Sequence, residues 1–396
     1  MFGNMMHSTY TLPKPDWNVS DMVSQDQREG QLWEEKGQNL AKKVVIGTIL
    51  ASIVLVAISG NLLVCIAVLT DHRLRQNSNF FLVSLAVADM LVSVMVMTFA
   101  IVNDVYGRWL FGAVYCRIWI SSDVMCSTAS ILNLCVISMD RYMHIKDPLH
   151  YETWMTTRRM ATFIGTVWFI SAFISFFPIH MGWHEAQDST SNRELCILEL
   201  NPVYAIVSSA ISFYIPCVIM LVLYVQLYVY AERQSRTIHR TSMQTAERLH
   251  LTTVSAKRCS AIADHKAAVT LGIIVGAFLT CWVPFFVVNI IASLCGSCIT
   301  SVVFQVLSWL GYFNSCLNPA IYSMFDTEFR NAFYRILCSA KYTADRRNTT
   351  FSVYTGSSVP SNLRETFTGV SRHTSLMIAE EKCSQEALSV NKVAPL

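Results

Sequence analysis

The sequence predicts an all-α membrane protein, a bundle of seven membrane-spanning helices followed by an amphipathic helix. Three observations carry that reading. The 396 residues are 53% hydrophobic and only 14% charged, against about 25% charged residues in a soluble domain. Seven apolar stretches each approach the roughly 20 residues needed to cross about 30 Å of hydrocarbon. Basic residues crowd into alternate connections between those stretches. The formal net charge of +3 is too small to imply a nucleic-acid partner, so the placement of charge says more than its sum.

The stretches lie near 44–69, 80–103, 115–145, 160–181, 204–230, 267–294 and 301–325. The connections after the first, third and fifth carry Arg73 and Arg75, then Lys146, Arg158 and Arg159, then Arg233, Arg236, Arg240, Arg248, Lys257, Arg258 and Lys266. The others offer only Arg108 and Arg193. Basic residues stay on the cytoplasmic side, which makes 1–43 an extracellular tail, 44–325 the spanning domain and 339–396 a cytoplasmic tail. No apolar run opens the sequence, so no cleavable signal peptide is expected and the first span carries the amino terminus across. Asn18, in the triplet Asn18-Val19-Ser20, is then a glycosylation acceptor on the outer side, or a chance match.

The outer face holds an even set of cysteines, where disulfides persist. The expected pairs are Cys116–Cys196, tying the third span to the loop after the fourth, and Cys295–Cys298, closing a turn between the sixth and seventh. Cysteines inside spans read as small buried hydrophobes. After the last span, 326–338 places Phe329, Phe333, Ile336 and Leu337 on one helical face, a membrane-surface helix. Cys338 at its end is a palmitoylation candidate or an unmodified thiol. The Ser- and Thr-rich tail beyond is expected to be disordered and open to phosphorylation.

Strongly polar groups in mid-span are costly, and each is a functional candidate. They are Asn61, Asp89, Asp123, Asn133, Asn314 and Asn318, with Asp140 and Arg141 at the cytoplasmic end of the third span. Asp123 and Arg141 stand about 27 Å apart on one helix. Asp123 has no Lys or Arg in neighbouring spans, so a ligand cation would supply its partner; the alternative is a protonated or hydroxyl-bonded carboxyl. Ser208 and Ser212 share a helical face with Ser209 beside them, placed for ligand hydroxyls or for packing. Trp282, Phe285, Phe286 and Asn289 form an aromatic wall with a polar end, and Pro284 kinks that helix. Such a wall opposite a carboxylate suits an aromatic amine, although an aromatic stripe also serves as core.

The motifs GNLLV (60–64), SLAVADML (84–91), DRY (140–142), Trp168, FYIP (213–216), CWVP (281–284) and NPAIY (318–322) resemble those of the rhodopsin-like G-protein-coupled receptors, from about Val44 to Cys338. Asp123, the serines of the fifth span and the CWVPFF run are similar to the biogenic-amine group. The stretches at 123–142 and 176–186 resemble D-one-like dopamine receptors, and DRYMHIKDPL resembles their invertebrate members. The resemblance implies a plasma-membrane receptor with a dopamine ammonium on Asp123, hydroxyls toward Ser208, Ser209 and Ser212, and a ring against Trp282, Phe285 and Phe286, with Asn289 and Tyr312 nearby. It implies Gs coupling, adenylyl cyclase stimulation, and receptor kinases and arrestin at the tail. Tyr312 and Met143 depart from the vertebrate pattern, and octopamine and beta-adrenergic-like receptors share most of these features, Asn289 included.

The same resemblance implies an inactive-state clasp between Arg141 and Asp264, the alternative being Arg141 with Asp140. It implies a swing of the sixth span about Pro284 and an open state held by Tyr224 and Tyr322. Asp89, Ser130, Asn314 and Asn318 match a sodium site, and no other cofactor is expected. A transporter would be built from repeated halves, and none is visible; no catalytic triad, metal cluster or phosphate loop points to an enzyme.

Overall fold

The computed structural model describes residues 19–183, 196, 201–245, 251–295 and 298–338. Asn18 and the tail 339–396 lie outside the described residues. Among the described residues every regular element is a helix. The chain divides into two units, Met1–Ala51 and Ser52–Leu396. The first is helical from Val19, and Val44, Val45, Ile46 and Ile49 point exposed apolar side chains outward, the arrangement a lipid solvent favours.

Six helices are long and apolar enough to cross a membrane: Gly37–Thr70, Asn79–Tyr106, Gly112–Lys146, Thr157–His180, Pro202–Gln234 and His265–Cys295. They extend several of the apolar stretches by a turn or so, because a helix continues past the hydrocarbon edge. A seventh helix, Ser301–Phe325, has 25 residues, a length of about 37 Å, with Gln305, Asn314 and Asn318 lowering its apolar character. Hydroxyls inside the spans find acceptors locally: Ser93, Ser127, Ser138, Ser171 and Ser175 each donate to the carbonyl four residues back, which removes a donor that hydrocarbon would leave unpaired.

Close approach of the spans is set by small residues and side-chain bonds. A Cβ on Gly60 would lie 2.9 Å from Cγ of Pro319, so glycine lets the first and seventh spans touch. One residue on, the Asn61 amide donates to the backbone oxygens of Ala57 at 2.9 Å and Ser315 at 2.8 Å, the second bond crossing to the seventh span. Two wider π-helical turns interrupt the second and fifth spans at Val92–Met97 and Ala210–Tyr214. Such turns rotate everything beyond them, and they frequently sit at functional sites.

A short helix absent from the sequence reading, Pro148–Trp154, follows the third span; Asp147 caps it by accepting from His150 N at 3.2 Å, and Pro148 occupies its first turn. The surface helix is Thr327–Leu337, capped by Asp326 Oδ1, which accepts from the backbone N–H groups of Glu328 and Phe329. Phe329 and Phe333 are buried, and Phe329 stacks on Tyr322 at 5.3 Å between centroids. Leu337, at the last helical residue, is 72% exposed. Arg335 pairs with Asp71 in the connection after the first span. Both expected disulfides are present, each with a Cα–Cα distance of 5.8 Å. The in-span cysteines Cys65, Cys126, Cys135, Cys217, Cys281 and Cys316 are free and buried, and Cys338 is partly exposed.

Replacing Gly60 by Ala is expected to force the first and seventh spans apart and to destabilise the bundle by about 1–3 kcal/mol, the usual cost of overpacking. The check is the thermal unfolding midpoint of the detergent-solubilised protein; an unchanged midpoint would show that the Pro319 ring yields without cost.

Candidate functional site

A cavity of about 550 Å³ lies within the bundle at the end closed by the Cys116–Cys196 disulfide. Asp123 of the third span, Ser208, Ser209 and Ser212 of the fifth, Trp282, Phe285, Phe286 and Asn289 of the sixth and Tyr312 of the seventh all line it. The tertiary structure thus gathers every residue that the sequence put forward for ligand contact.

The Asp123 carboxylate is asymmetric. Its Oδ2 accepts from the Tyr312 hydroxyl at 2.8 Å, while Oδ1 is buried without a hydrogen-bond partner. No basic side chain among the described residues forms an ion pair with it. A buried carboxylate oxygen left this way carries the full desolvation cost of an unmade bond. The arrangement invites a small cation or a donor from the cavity.

The serines divide by what their hydroxyls already do. Ser208 donates to Ala205 O at 3.3 Å and Ser212 to Ser208 O at 2.6 Å, so both retain only acceptor capacity. Ser209 instead accepts from the Asn289 amide at 3.3 Å, linking the fifth span to the sixth and keeping its own proton to donate. The π-helical turn at Ala210–Tyr214 begins just after Ser209, and Ser208, Ser209 and Ser212 all line the cavity.

Opposite the carboxylate, rings interlock. Phe286 stacks on Phe213 at 4.0 Å and 11°, and Trp282 meets Phe285 edge-on at 6.0 Å and 85° and Tyr312 at 6.3 Å and 79°. A Cβ on Gly311 would come within 2.9 Å of the Trp282 ring, so glycine there gives the indole its place. Pro284 stands inside the continuous helix Leu251–Cys295, two residues after Trp282.

At mid-bundle Asp89 is buried, accepting from Ser315 Oγ at 2.9 Å on Oδ1 and from the Asn318 amide at 2.7 Å on Oδ2. Ser315 was not among the residues singled out from sequence. Ser130 and Asn314 are buried too, and Asn314 Oδ1 has no hydrogen-bond partner. Carboxylate, hydroxyl and amide oxygens are the ligand types a hard cation takes, and the Asn314 oxygen is left without a partner.

At the far end of the third span, Arg141 donates to Asn79 Oδ1 at 3.1 Å and Asp140 accepts from the Tyr151 hydroxyl at 2.6 Å. The alternative pairing of Arg141 with Asp140 is therefore not what the structure holds, since adjacent helical residues do not face each other. The Asp264 side chain lies outside the described residues. Tyr322 is buried with an unpartnered hydroxyl, and Tyr224 packs against the core.

Sequence reasoning passed over Asp104. The second apolar stretch ended by hydropathy at 103, whereas the helix continues to Tyr106 and carries Asp104 into the cavity lining.

The family described as 7 transmembrane receptor (rhodopsin family) matches residues 60–322. Dopamine receptor 1 of Drosophila melanogaster is 44% identical over 346 residues, covering 81% of this chain and 68% of that protein. Octopamine receptor beta-1R of the same organism is 41% identical with the same coverage, and 5-hydroxytryptamine receptor 1 of Aplysia californica is 39% identical over 370 residues, covering 84% and 80%. Those are receptors, not enzymes, and their agreement extends across the helices that build the cavity. The chain belongs to the rhodopsin family of seven-transmembrane G-protein-coupled receptors, within its biogenic-amine group.

Proposed function

We propose that the chain is a dopamine receptor of the plasma membrane that couples to Gs and raises cyclic AMP, with residues 1–43 outside and the tail inside. The single observation that carries the amine is the unpartnered, buried Oδ1 of Asp123, a residue that lines a ring-walled cavity. An ammonium there forms a charge-assisted bond in a low-dielectric site. The catechol is supported by chemistry at the other wall: Ser208 and Ser212 accept, Ser209 donates, and catechol hydroxyls can do both. Similarity to the Drosophila dopamine receptor supports the same reading. Octopamine is the second reading, supported by similarity to the Drosophila octopamine receptor beta-1R and by Ser209, whose retained proton could meet a single ring hydroxyl.

Agonist shifts the bundle only by its differential affinity for two states, and a bound G protein raises agonist affinity by the same factor. The Arg141–Asp264 clasp, the pivot at Pro284 and the roles of Tyr224 and Tyr322 belong to this reading. A sodium ion, held by Asp89 with Ser130, Asn314 and Asn318, would supply positive charge at mid-membrane and favour the inactive bundle. Glycosylation at Asn18, palmitoylation at Cys338, and kinases and arrestin at the tail complete it.

A cyclic-AMP dose–response panel of dopamine, octopamine, tyramine and serotonin tests the proposal: dopamine is expected to be most potent and to raise the signal, and greater potency of octopamine overturns the dopamine assignment. Asp123→Asn is expected to weaken amine binding by about 100-fold or more, the order of an unpaired buried charge, with surface expression retained; unchanged affinity would remove the carboxylate from recognition. Converting Ser208 and Ser212 to Ala should weaken dopamine about five- to tenfold and phenylethylamine hardly at all, and equal losses would mean those hydroxyls only pack. Added sodium chloride should lower agonist affinity, choline chloride should not, and Asp89→Asn should abolish the difference; sodium sensitivity surviving in that variant contradicts the proposed ion site.

A further inference from the structure

Asp104 shares the cavity with Asp123, yet nothing in the proposed recognition uses it. Its carboxylate is the focus of three donors: the Trp309 indole N–H at 2.8 Å on Oδ2, and the amides of Gln305 at 3.3 Å and Asn103 at 3.4 Å on Oδ1. Two of the three come from the seventh span. Gln305 and Trp309 are four residues apart and Tyr312 follows three later, so these side chains form one stripe along one helical face. Trp309 meets Tyr312 edge-on at 5.6 Å and 87°, and Tyr312 donates to Asp123 Oδ2 at 2.8 Å. The opposite side of the Tyr312 ring is held by Trp282, at 6.3 Å and 79°.

We propose that Asp104 is a positioning residue for the amine site: by accepting the Trp309 indole proton it fixes the stripe of the seventh span against the second, and so seats the Tyr312 hydroxyl on Asp123 Oδ2. The consequence reaches the ligand through carboxylate orientation. With Oδ2 bonded to Tyr312, Oδ1 is the carboxylate oxygen left without a partner. A site ordered before the amine arrives avoids the ordering cost on binding. Bonds to a carboxylate are about twice as strong as neutral ones, and the planar indole transmits the constraint with few rotatable bonds. A carboxylate already bonded to three donors is not a bare charge at the mouth of the cavity, so its role differs from electrostatic attraction of cations, which acts on association rate and fades with salt.

The inference rests on the proposed pairing of the ammonium with Asp123, though not on which amine is bound. The test therefore uses whichever of dopamine, octopamine, tyramine and serotonin binds the unaltered full-length chain most tightly, radiolabelled, with association and dissociation rates measured at low and high salt. Trp309→Phe keeps the ring contact with Tyr312 and deletes the N–H; it is expected to speed dissociation about five- to tenfold. Asp104→Ala should do the same, and the double variant should be no worse than either alone, because both remove one bond. Asp104→Asn retains one oxygen acceptor for the indole, in a neutral bond about half as strong, and should recover most of the loss, dissociating within about two- to threefold of the unaltered chain. That rescue is what a merely structural role would not give.

A silent Trp309→Phe overturns the proposal. So does Asp104→Asn acting like Asp104→Ala with slowed association that high salt abolishes, which would make Asp104 a steering charge. Additive losses in the double variant would overturn it too. Loss of expression in Asp104→Ala leaves the Trp309→Phe and Asp104→Asn arms to decide. Failure of the ammonium–Asp123 reading is separately visible as unchanged affinity in Asp123→Asn.

Discussion

A carboxylate inside a membrane has to be met by donors, and in this bundle the seventh span meets three of them. Gln305 and Trp309 bond Asp104, Tyr312 bonds Asp123, and Ser315 and Asn318 bond Asp89. These donors follow one another at intervals of three and four residues, a single stripe running the length of the helix. The second and third spans supply the acceptors. The polar residues this seam demands make the seventh helix less apolar than the other six.

The seam is not uniformly satisfied. Asp89 has a donor on each oxygen and Asp104 has three donors in all, whereas Asp123 has one donor and one bare, buried oxygen. An unmet acceptor in low dielectric is a standing cost that only a ligand cation or a proton relieves. In the proposed function the same physics that makes polar groups rare in the spans concentrates recognition on one atom, and the aromatic wall of the sixth span and the serines of the fifth would select the cation that fits around it.

Much of the fold was legible in the chain because hydrocarbon imposes simple rules. Span length, the alternation of basic connections and the rarity of mid-span charge are properties of local sequence, and hydropathy located each span, although the first helix begins at Val19, the fifth span's helix runs on to Thr245 and the sixth begins at Leu251, well beyond the apolar stretches. Asp123, the serines and the Trp282 wall were visible for the same reason: each is a polar or aromatic exception on an apolar background. The reading weakened at helix ends. Asp104 escaped because hydropathy fades before the helix does, and the short helix Pro148–Trp154 is too brief to show a period. The three serines could not be separated in advance because what distinguishes them is their partners, the last of which comes from another span.

The sequence by itself determined which residues are expensive, and therefore which ones need a partner, since the cost of burying charge depends on residue type and on the length of apolar chain around it. Only the tertiary structure decided who the partners are. Arg141 bonds Asn79 instead of its neighbour Asp140, Asp140 takes the hydroxyl of Tyr151, Ser209 takes the amide of Asn289, and Asp89 takes Ser315. Each of these bonds joins residues at least eleven apart in the chain and requires a donor–acceptor distance near 3 Å. That geometry is fixed by how helices rotate and approach, at contacts such as Gly60 on Pro319 and Gly311 on Trp282, and no local pattern of residues encodes it.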